Sequence, residues 1–349
     1  MNDLDSKPRV SMDDIAGACG VSKMTVSRVL SNKQYGVSDH ARQQILDCVK
    51  RMNYRPNALA KSFASKRSGY IGLALPFEGL LGSTYFARLV SGIQLGLEQT
   101  DCQLALFDTL SDSFNEGDKL AALYHERRVD GLIAIAPHAN ESFIEKLTEE
   151  DIPVIIAGEP TLNETVLSVS ADDEVCVARA VDYLHEQGHR EIGFLQGPKD
   201  LLSARMRITS FRRRMAKHGM HVSEETILSG KYSRPCARDC ALDFMRNSPL
   251  PSAFIAANDS MALGFLDAAV IFGIQVPDDV SIIGIDDLLE ATSSYPPLTT
   301  MHQPMRRMGE LAAKSLIQWI NTGEKPARLE IFHSELIERS SVNKRKVKI

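Results

Sequence analysis

From Tyr70 onward, short apolar runs alternate with longer stretches whose apolar residues recur at helical spacing, and this alternation restricts most of the chain to one architecture. Tyr70–Leu75, Gln103–Phe107, Gly131–Ala136 and Val154–Ala157 read as strands, with helices over Ser83–Gln99 and Ser142–Glu150 between them. The pattern starts again after Asp172. Glu191–Leu195, Ala253–Ala256 and Val280–Ile285 read as strands, with helices near Asp173–Gln187, Ala204–His218, Arg238–Arg246 and Ser260–Phe272. Strands that are apolar throughout must be covered on both faces, which calls for parallel sheets flanked by helices. Two such units give two lobes with a cleft between them, and small ligands bind at the C-terminal ends of parallel strands.

The first seventy residues read differently. Ser11 and Asp14 have the form of a capping box opening a short helix. Gly20 supplies a break, and Ser22 is placed to cap a second helix. Laid out at about 100° per residue, Val26, Val29 and Leu30 gather on one face, with Met24 and Arg28 nearly opposite and Lys23 and Ser27 beside them. One face packs. The other offers a guanidinium, an ammonium, hydroxyls and a thioether, which suits a helix that enters a major groove. Taken alone, the segment fits an amphipathic hairpin with a solvated polar face equally well. Val37 and Ser38 then precede a third helix, Asp39 to Met52, which Pro56 stops. The Ala-rich segment beyond Pro56 is a marginal helix that needs support to form.

Charge separates the same two regions. Through Ser68 there are 12 Lys and Arg against 6 Asp and Glu, whereas the remainder holds 28 against 39, within a formal net charge of −5. A basic head on an acidic body is the footprint of a DNA-binding module fused to a domain that does not touch DNA. With 349 residues, 44% of them hydrophobic, the chain has material for two or three real cores. The polar start MNDLDSKPRV carries no secretion-signal pattern, and no apolar run approaches membrane-spanning length. Six scattered cysteines suit a reducing compartment, and Cys236 with Cys240 reads as two incidental thiols on a helix.

Successive motifs run from about Val10 to about Ser340: DIAGACGVSKMTVSRVL, VSDHARQQILDCVKRMNYRPNALAKS, YIGLALP, RRVDGLI, GHREIGFLQGP, SARMRITSFRRRM, AANDSMALGFLDAA, GIQVPDDVSIIGIDD and PPLTTMHQPMRRMGELA. In order and spacing they resemble the LacI/GalR family of bacterial transcription repressors. The resemblance implies an all-α helix-turn-helix headpiece over 9–56 and a hinge helix and linker over 57–68. It further implies a two-lobed, periplasmic-binding-protein-like effector and dimerisation domain over 69–340, built from two Rossmann-like parallel-sheet subdomains. The first lobe is expected over 69–168 and 298–322 and the second over 169–297 and 323–340, with three crossings and a solvated basic tail over 341–349.

Residue roles follow from the same resemblance. Lys23, Met24 and Arg28 are expected at base edges, and Ser22, Thr25, Ser27 and Tyr35 at phosphates. Arg28 suits a guanine and Met24 a thymine methyl. Asn57, Ala60 and Phe63 belong to the hinge helix that enters the minor groove, where the family usually wedges a Leu and this chain has Phe63. In the cleft, Arg207, Asn258 and Asp286 are the principal effector ligands, a carboxylate, an amide and a guanidinium being suited to vicinal hydroxyls. Asn258 and Asp286 also stand where a residue caps a following helix or turn. Tyr85, Phe86 and Tyr232 match aromatic wall positions, Phe86 fitting a core role equally well. Many relatives carry an Asp after the fourth strand. This chain has Gly158 and Glu159, so either Glu159 takes over a hydroxyl contact or the ligand differs on that side.

The function implied is a cytoplasmic, nucleoid-associated, homodimeric regulator, a repressor whose affinity for a near-palindromic operator is set allosterically by a small molecule. A sugar or sugar derivative is the family's commonest effector; a purine-like corepressor or a phosphocarrier protein is the alternative within the class. A cytoplasmic solute-binding protein without DNA function would account for the body but not the basic head. No catalytic constellation, cofactor motif or metal site is evident. His185 to His189 spells HExxH, but Gly188 ends the helix before His189, so the two imidazoles do not share a helical face.

Overall fold

In the computed structural model the described residues are 10–31, 35–55, 62, 65–76, 82–109, 116–135, 142–327 and 330–345. The chain divides into two units, Met1–Arg67 and Ser68–Ile349.

The first unit is three short helices whose ends are fixed by local side chains: α1 (Met12–Cys19), α2 (Lys23–Leu30) and α3 (Asp39–Arg51). Ser11 Oγ accepts from the Asp14 N–H at 3.2 Å, and the Asp14 carboxylate accepts from the Ser11 N–H at 2.7 Å. These bonds hold the Asp14 carboxyl below its ordinary range. Gly20, at φ 66°, closes α1 in the left-handed region that glycine adopts without penalty. Ser22 caps α2 through the Thr25 N–H at 3.1 Å, and Ser38 caps α3 through the Ala41 N–H at 3.3 Å. The helices bury Ile15, Val26, Val29, Ile45, Cys48 and Tyr54 against one another.

The second unit begins β1 (Tyr70–Leu75), α4 (Thr84–Leu97), β2 (Gln103–Asp108), α5 (Glu116–His125), β3 (Gly131–Ile135), α6 (Ser142–Glu149), β4 (Val154–Ala157) and β5 (Leu167–Ala171). It continues α7 (Asp173–Glu186), β6 (Ile192–Gln196), α8 (Leu202–Lys217), β7 (Ile227–Ser229), α9 (Arg234–Asn247), β8 (Ala253–Ala256), α10 (Asp259–Phe272) and β9 (Ser281–Asp286). The last elements are α11 (Leu289–Ser293), β10 (Thr299–His302), α12 (Met305–Thr322), β11 (Ile331–Phe332) and β12 (Glu335–Ile337). They make two six-stranded sheets, ordered β11-β5-β4-β3-β1-β2 and β12-β10-β9-β8-β6-β7. All pairings are parallel except β10 with β12. The second lobe centres on Phe194, Phe211, Phe254 and Phe265, all fully buried. Each contributes about 2–3 kcal/mol of apolar burial.

The chain passes between sheets three times, but not where the sequence places the changes. β5 stays in the first sheet to Ala171, past the expected boundary at 168–169, because Ser168 and Ser170 interrupt the apolar run that would mark a strand. The segment 298–322 is divided. β10 pairs with β9 in the second sheet, and α12 alone returns to the first lobe, against α4. β11 then joins β5 in the first sheet before β12 joins β10. The expected tail is also corrected. Ser341 is fully buried, its hydroxyl donating to the Ile282 carbonyl at 2.6 Å, and the Arg345 N–H donates to the Gln187 carbonyl at 2.8 Å. Ser341 and Asn343 are bonded to β9, and Arg345 to the end of α7.

Candidate functional site

Two sets of side chains stand out, one in each unit. On α2, Ser22, Lys23, Met24 and Arg28 are exposed, Met24 at 63%, while Thr25 and Ser27 are half-buried. Arg28 Nη2 lies 3.6 Å from Met24 Sδ, so the two side chains stack into one surface. Lys23 Nζ is 2.7 Å from Asp13 Oδ2, an exposed ion pair that a phosphate can replace at little cost. Ser22 Oγ lies 2.9 Å from Thr25 Oγ1, and Tyr35 is 90% exposed. Asn57, Ala60 and Phe63 lie outside the described residues.

The second set forms at the carboxyl ends of the strands, where parallel sheets place ligands. After β4 the chain turns through Gly158 at φ 85° into Glu159. A Cβ on Gly158 would stand 2.4 Å from the Tyr85 hydroxyl, which donates to the Gly158 carbonyl at 3.0 Å. The Glu159 side chain leaves its own lobe. Its Oε1 accepts from the Ser203 N–H at 2.7 Å, in the first turn of α8. That helix has no side-chain cap of its own, so a carboxylate from the first lobe meets the positive end of a helix in the second. Two further bonds link the lobes. Arg88 Nη1 donates to the Asp287 carbonyl at 2.5 Å, and the Thr84 hydroxyl donates to Glu290. Asp287 in turn is held by Arg339 and by His302 at 3.0 Å.

Arg207, in the second turn of α8, is buried. Its Nε donates to Asp173 Oδ1 at 2.6 Å and its Nη1 to the Ala257 carbonyl, and its guanidinium carbon sits 5.7 Å from the Tyr232 ring centre. Tyr232 itself packs where Gly197 leaves room, since a Cβ there would come within 2.5–2.9 Å of the ring. Asp286 ends β9 at φ 124°, followed by Asp287 at φ 58°. Two successive non-glycine residues in left-handed conformations are costly, and such strain collects at functional sites. The Asp286 carboxylate is buried.

Burial sets the electrostatics. It pushes the Glu159 carboxyl up to about 7, against the smaller opposing effect of the Ser203 N–H. Burial likewise raises Asp286 well above its ordinary value, with Arg207 opposing. It raises the phenols of Tyr85 and Tyr232, which stay neutral donors. Asp259 is raised to about 7, although its two oxygens are occupied by the Thr300 hydroxyl at 2.6 Å and the Leu288 N–H at 2.8 Å.

The structure therefore brings Tyr85, Glu159, Arg207, Tyr232 and Asp286 into one polar cluster, in which Glu159, Arg207 and Asp286 are buried and the two tyrosines half-buried. Asn258 is the N-cap of α10, its Oδ1 taking the Met261 N–H at 2.9 Å, with Nδ2 3.5 Å from the Tyr232 carbonyl. Phe86 is buried in the first-lobe core. Asp173, Ser203 and Asp259 were not singled out in the sequence, where acidic residues opening a helix carry no special mark. His189 is buried beyond the end of α7, its ring nitrogens 2.9 Å from Ser252 Oγ and 3.0 Å from the Asn343 carbonyl. Among the described residues no group of three or more metal-binding side chains occurs. A cavity of about 330 Å³ beside β2, lined by Phe107, Leu120 and Leu123 with Glu126 and Arg128, lies apart from this cluster and lacks its convergent polar groups. No helix among the described residues is long and apolar enough to cross a membrane.

Both units resemble known proteins. Residues 11–57 match the profile of bacterial regulatory proteins of the lacI family, and residues 181–342 match a periplasmic binding protein-like domain. The HTH-type transcriptional repressor PurR of Vibrio cholerae serotype O1 is 30% identical over 333 residues, 95% of this chain and 98% of that one. A transcriptional regulator CelR–cellobiose complex is similar at 27% identity and a TM-score of 0.72, over 95% of this chain and 100% of that one. The lac repressor dimer bound to operator and the anti-inducer ONPF shares the fold, with a TM-score of 0.84 at 24% identity over 96% and 99% of the two chains. A capped three-helix headpiece joined to a two-sheet body with a polar inter-lobe cleft, together with these similarities, establishes that the chain belongs to the lacI family of bacterial regulatory proteins, which are DNA-binding transcription regulators and not enzymes.

Proposed function

We propose that the chain is a homodimeric repressor whose operator affinity is set by a neutral, hydroxyl-rich ligand, a sugar or sugar derivative, bound between the lobes. The carrying observation is the bridge from Glu159 to Ser203 beside buried Arg207 and Asp286, all within one cleft. A ligand that satisfies these groups from both lobes changes the closure that Glu159, Arg88 and Thr84 maintain. CelR, whose complex contains cellobiose, supports the carbohydrate reading. The contacts proposed for the ligand are Tyr85, Glu159, Arg207, Tyr232, Asn258 and Asp286, with Phe86, expected among them, packed instead in the first-lobe core. Lys23, Met24 and Arg28 read bases; Ser22, Thr25, Ser27 and Tyr35 hold phosphates; Asn57, Ala60 and Phe63 enter the minor groove.

The corresponding modules are the headpiece over 9–56, the hinge over 57–68 and the two-lobed body beyond it. Within the body, the Asp130 carboxylate accepts the N–H groups of Ser68 at 2.7 Å and Gly69 at 2.8 Å, which fixes the chain just ahead of β1. Val270, Ile271, Leu289 and Tyr295 are exposed at 72%, 64%, 67% and 92%, and apolar surface of this kind supports pairing of two copies. The place of action is the cytoplasm, at the nucleoid.

In vitro selection of DNA with the full-length chain tests this reading. A palindrome with half-sites at helical-turn spacing is expected. Anisotropy on that operator, with neutral sugars and nucleobases added in turn, then identifies the ligand class. Recovery of no motif, or a response to nucleobases alone, contradicts it.

A further inference from the structure

Three neighbouring strands of the second sheet, β8, β9 and β10, end side by side at its carboxyl edge, where parallel sheets place ligands. β8 runs out into Ala257 and Asn258, and β9 ends on Asp286, both already part of the cleft. β10 ends on His302, level with Asp286 in the register, and the next residue is Gln303. The Gln303 N–H donates to the Asp286 carbonyl at 3.4 Å, and its own carbonyl takes the Met305 N–H at 2.9 Å. Here the chain leaves the second sheet for α12 of the first lobe, so Gln303 stands both at the strand edge and at a junction of the lobes.

The Gln303 side chain has no structural employment. The residue is 2% exposed, and its amide Nε2 is buried without a hydrogen-bond partner among the described residues. The polar side chains just before it are engaged, Thr300 with Asp259 at 2.6 Å and His302 with Asp287 at 3.0 Å. A buried donor without an acceptor is destabilising, and an apolar side chain of the same length fills such a space without that cost. A glutamine here is explained by an acceptor that comes from outside the chain.

We propose that Gln303 is a further ligand contact of the cleft, its Nε2 donating to an oxygen of the bound molecule beside Asp286. This rests on reading the cleft as a carbohydrate site and adds a donor to it. A sugar edge with vicinal hydroxyls can meet both residues, since each hydroxyl donates and accepts.

Gln303→Met keeps the length of the side chain and removes the donor. The test compares wild type and this variant, as full-length chains, by thermal melting and by calorimetric titration with cellobiose, glucose, adenine and guanine. The variant is expected to melt at the same temperature as wild type or higher, because an unpaired donor has gone. It is expected to bind the sugar that wild type binds at least tenfold more weakly, the effect of one lost hydrogen bond. A variant that binds the sugar as tightly as wild type overturns the proposal, leaving a resident water as the partner of Nε2. A lower melting temperature overturns it too, since the amide is then bonded within the protein. If wild type binds a nucleobase and no sugar, the carbohydrate reading fails, and a tenfold loss of nucleobase affinity in the variant still supports Gln303, whereas unchanged affinity overturns it. If wild type binds none of the four, melting decides: a temperature at or above that of wild type supports the proposal and a lower one overturns it. Should Gln303→Met not fold, Gln303→Leu goes through the same comparison, and failure of both to fold overturns the proposal.

Discussion

The headpiece and the cleft keep their working groups in opposite environments. On α2 the side chains proposed to read bases, Lys23, Met24 and Arg28, are exposed, and the bonds that shape the helix come from residues three positions away, as with Ser22 and Thr25. In the cleft the working groups are buried, and their partners lie far along the chain: Glu159 with Ser203, Asp173 with Arg207. A local, solvated site can lose a side chain and lose little else. A buried, long-range site cannot, because each group there is the solvation of another.

That contrast can be broken first at Arg207. Arg207→Ala leaves Asp173 buried without its cation, and a loss of about 3–5 kcal/mol in unfolding free energy is expected by urea denaturation. A loss below about 1 kcal/mol would mean the cleft is as tolerant as the headpiece.

Next is pH. The ordinary values are 4.5 for Glu159 and 3.8 for Asp259, and burial raises both to about 7. A raised carboxyl contributes stability that is fully present below its ordinary value and is lost as pH rises through the folded value. The body should therefore melt at a higher temperature at pH 5 than at pH 8, by about 1–3 kcal/mol in stability for each group. Glu159→Gln should flatten the slope in part, leaving the shares of Asp259, Asp286 and Asp173. A slope of the opposite sign would show that the Ser203 N–H outweighs burial.

Gly197→Ala places a methyl against the Tyr232 ring. About 1–3 kcal/mol of destabilisation is expected by thermal melting, with weakened ligand binding. Ser22→Ala removes one helix cap, costs about 1 kcal/mol in the headpiece alone, and should weaken operator binding while ligand titration of the body is unchanged. Met24→Ala is expected to shift stability by less than about 0.5 kcal/mol and to alter base preference only.

The same contrast explains what could be read from the chain. The capping serines, Gly20 and the packed face of α2 are legible because their partners lie within four residues. The alternation of apolar runs and helices located most of the strands. β5 escaped because Ser168 and Ser170 interrupt it, and the division of 298–322 because nothing local tells a strand which sheet it will join. Arg207 could be placed by resemblance, and Asp286 by resemblance and by its position after a strand. Asp173 could not, since it stands with Asp172 and Glu174 at the start of α7, where acidic residues complement the helix dipole whatever else they do. Glu159 stood out only as a departure. Its reach to the other lobe depends on how two sheets face each other, which no window of sequence contains.

In the proposed function, closure of this cleft sets operator affinity. The most direct measurement is anisotropy titration of the full-length chain on its selected operator, with and without a saturating neutral sugar that calorimetry shows to bind. A change in operator affinity of roughly 5- to 150-fold is predicted, with the same sugar's affinity changed by the same factor when operator is present. Ligand bound with operator affinity unchanged would contradict that coupling.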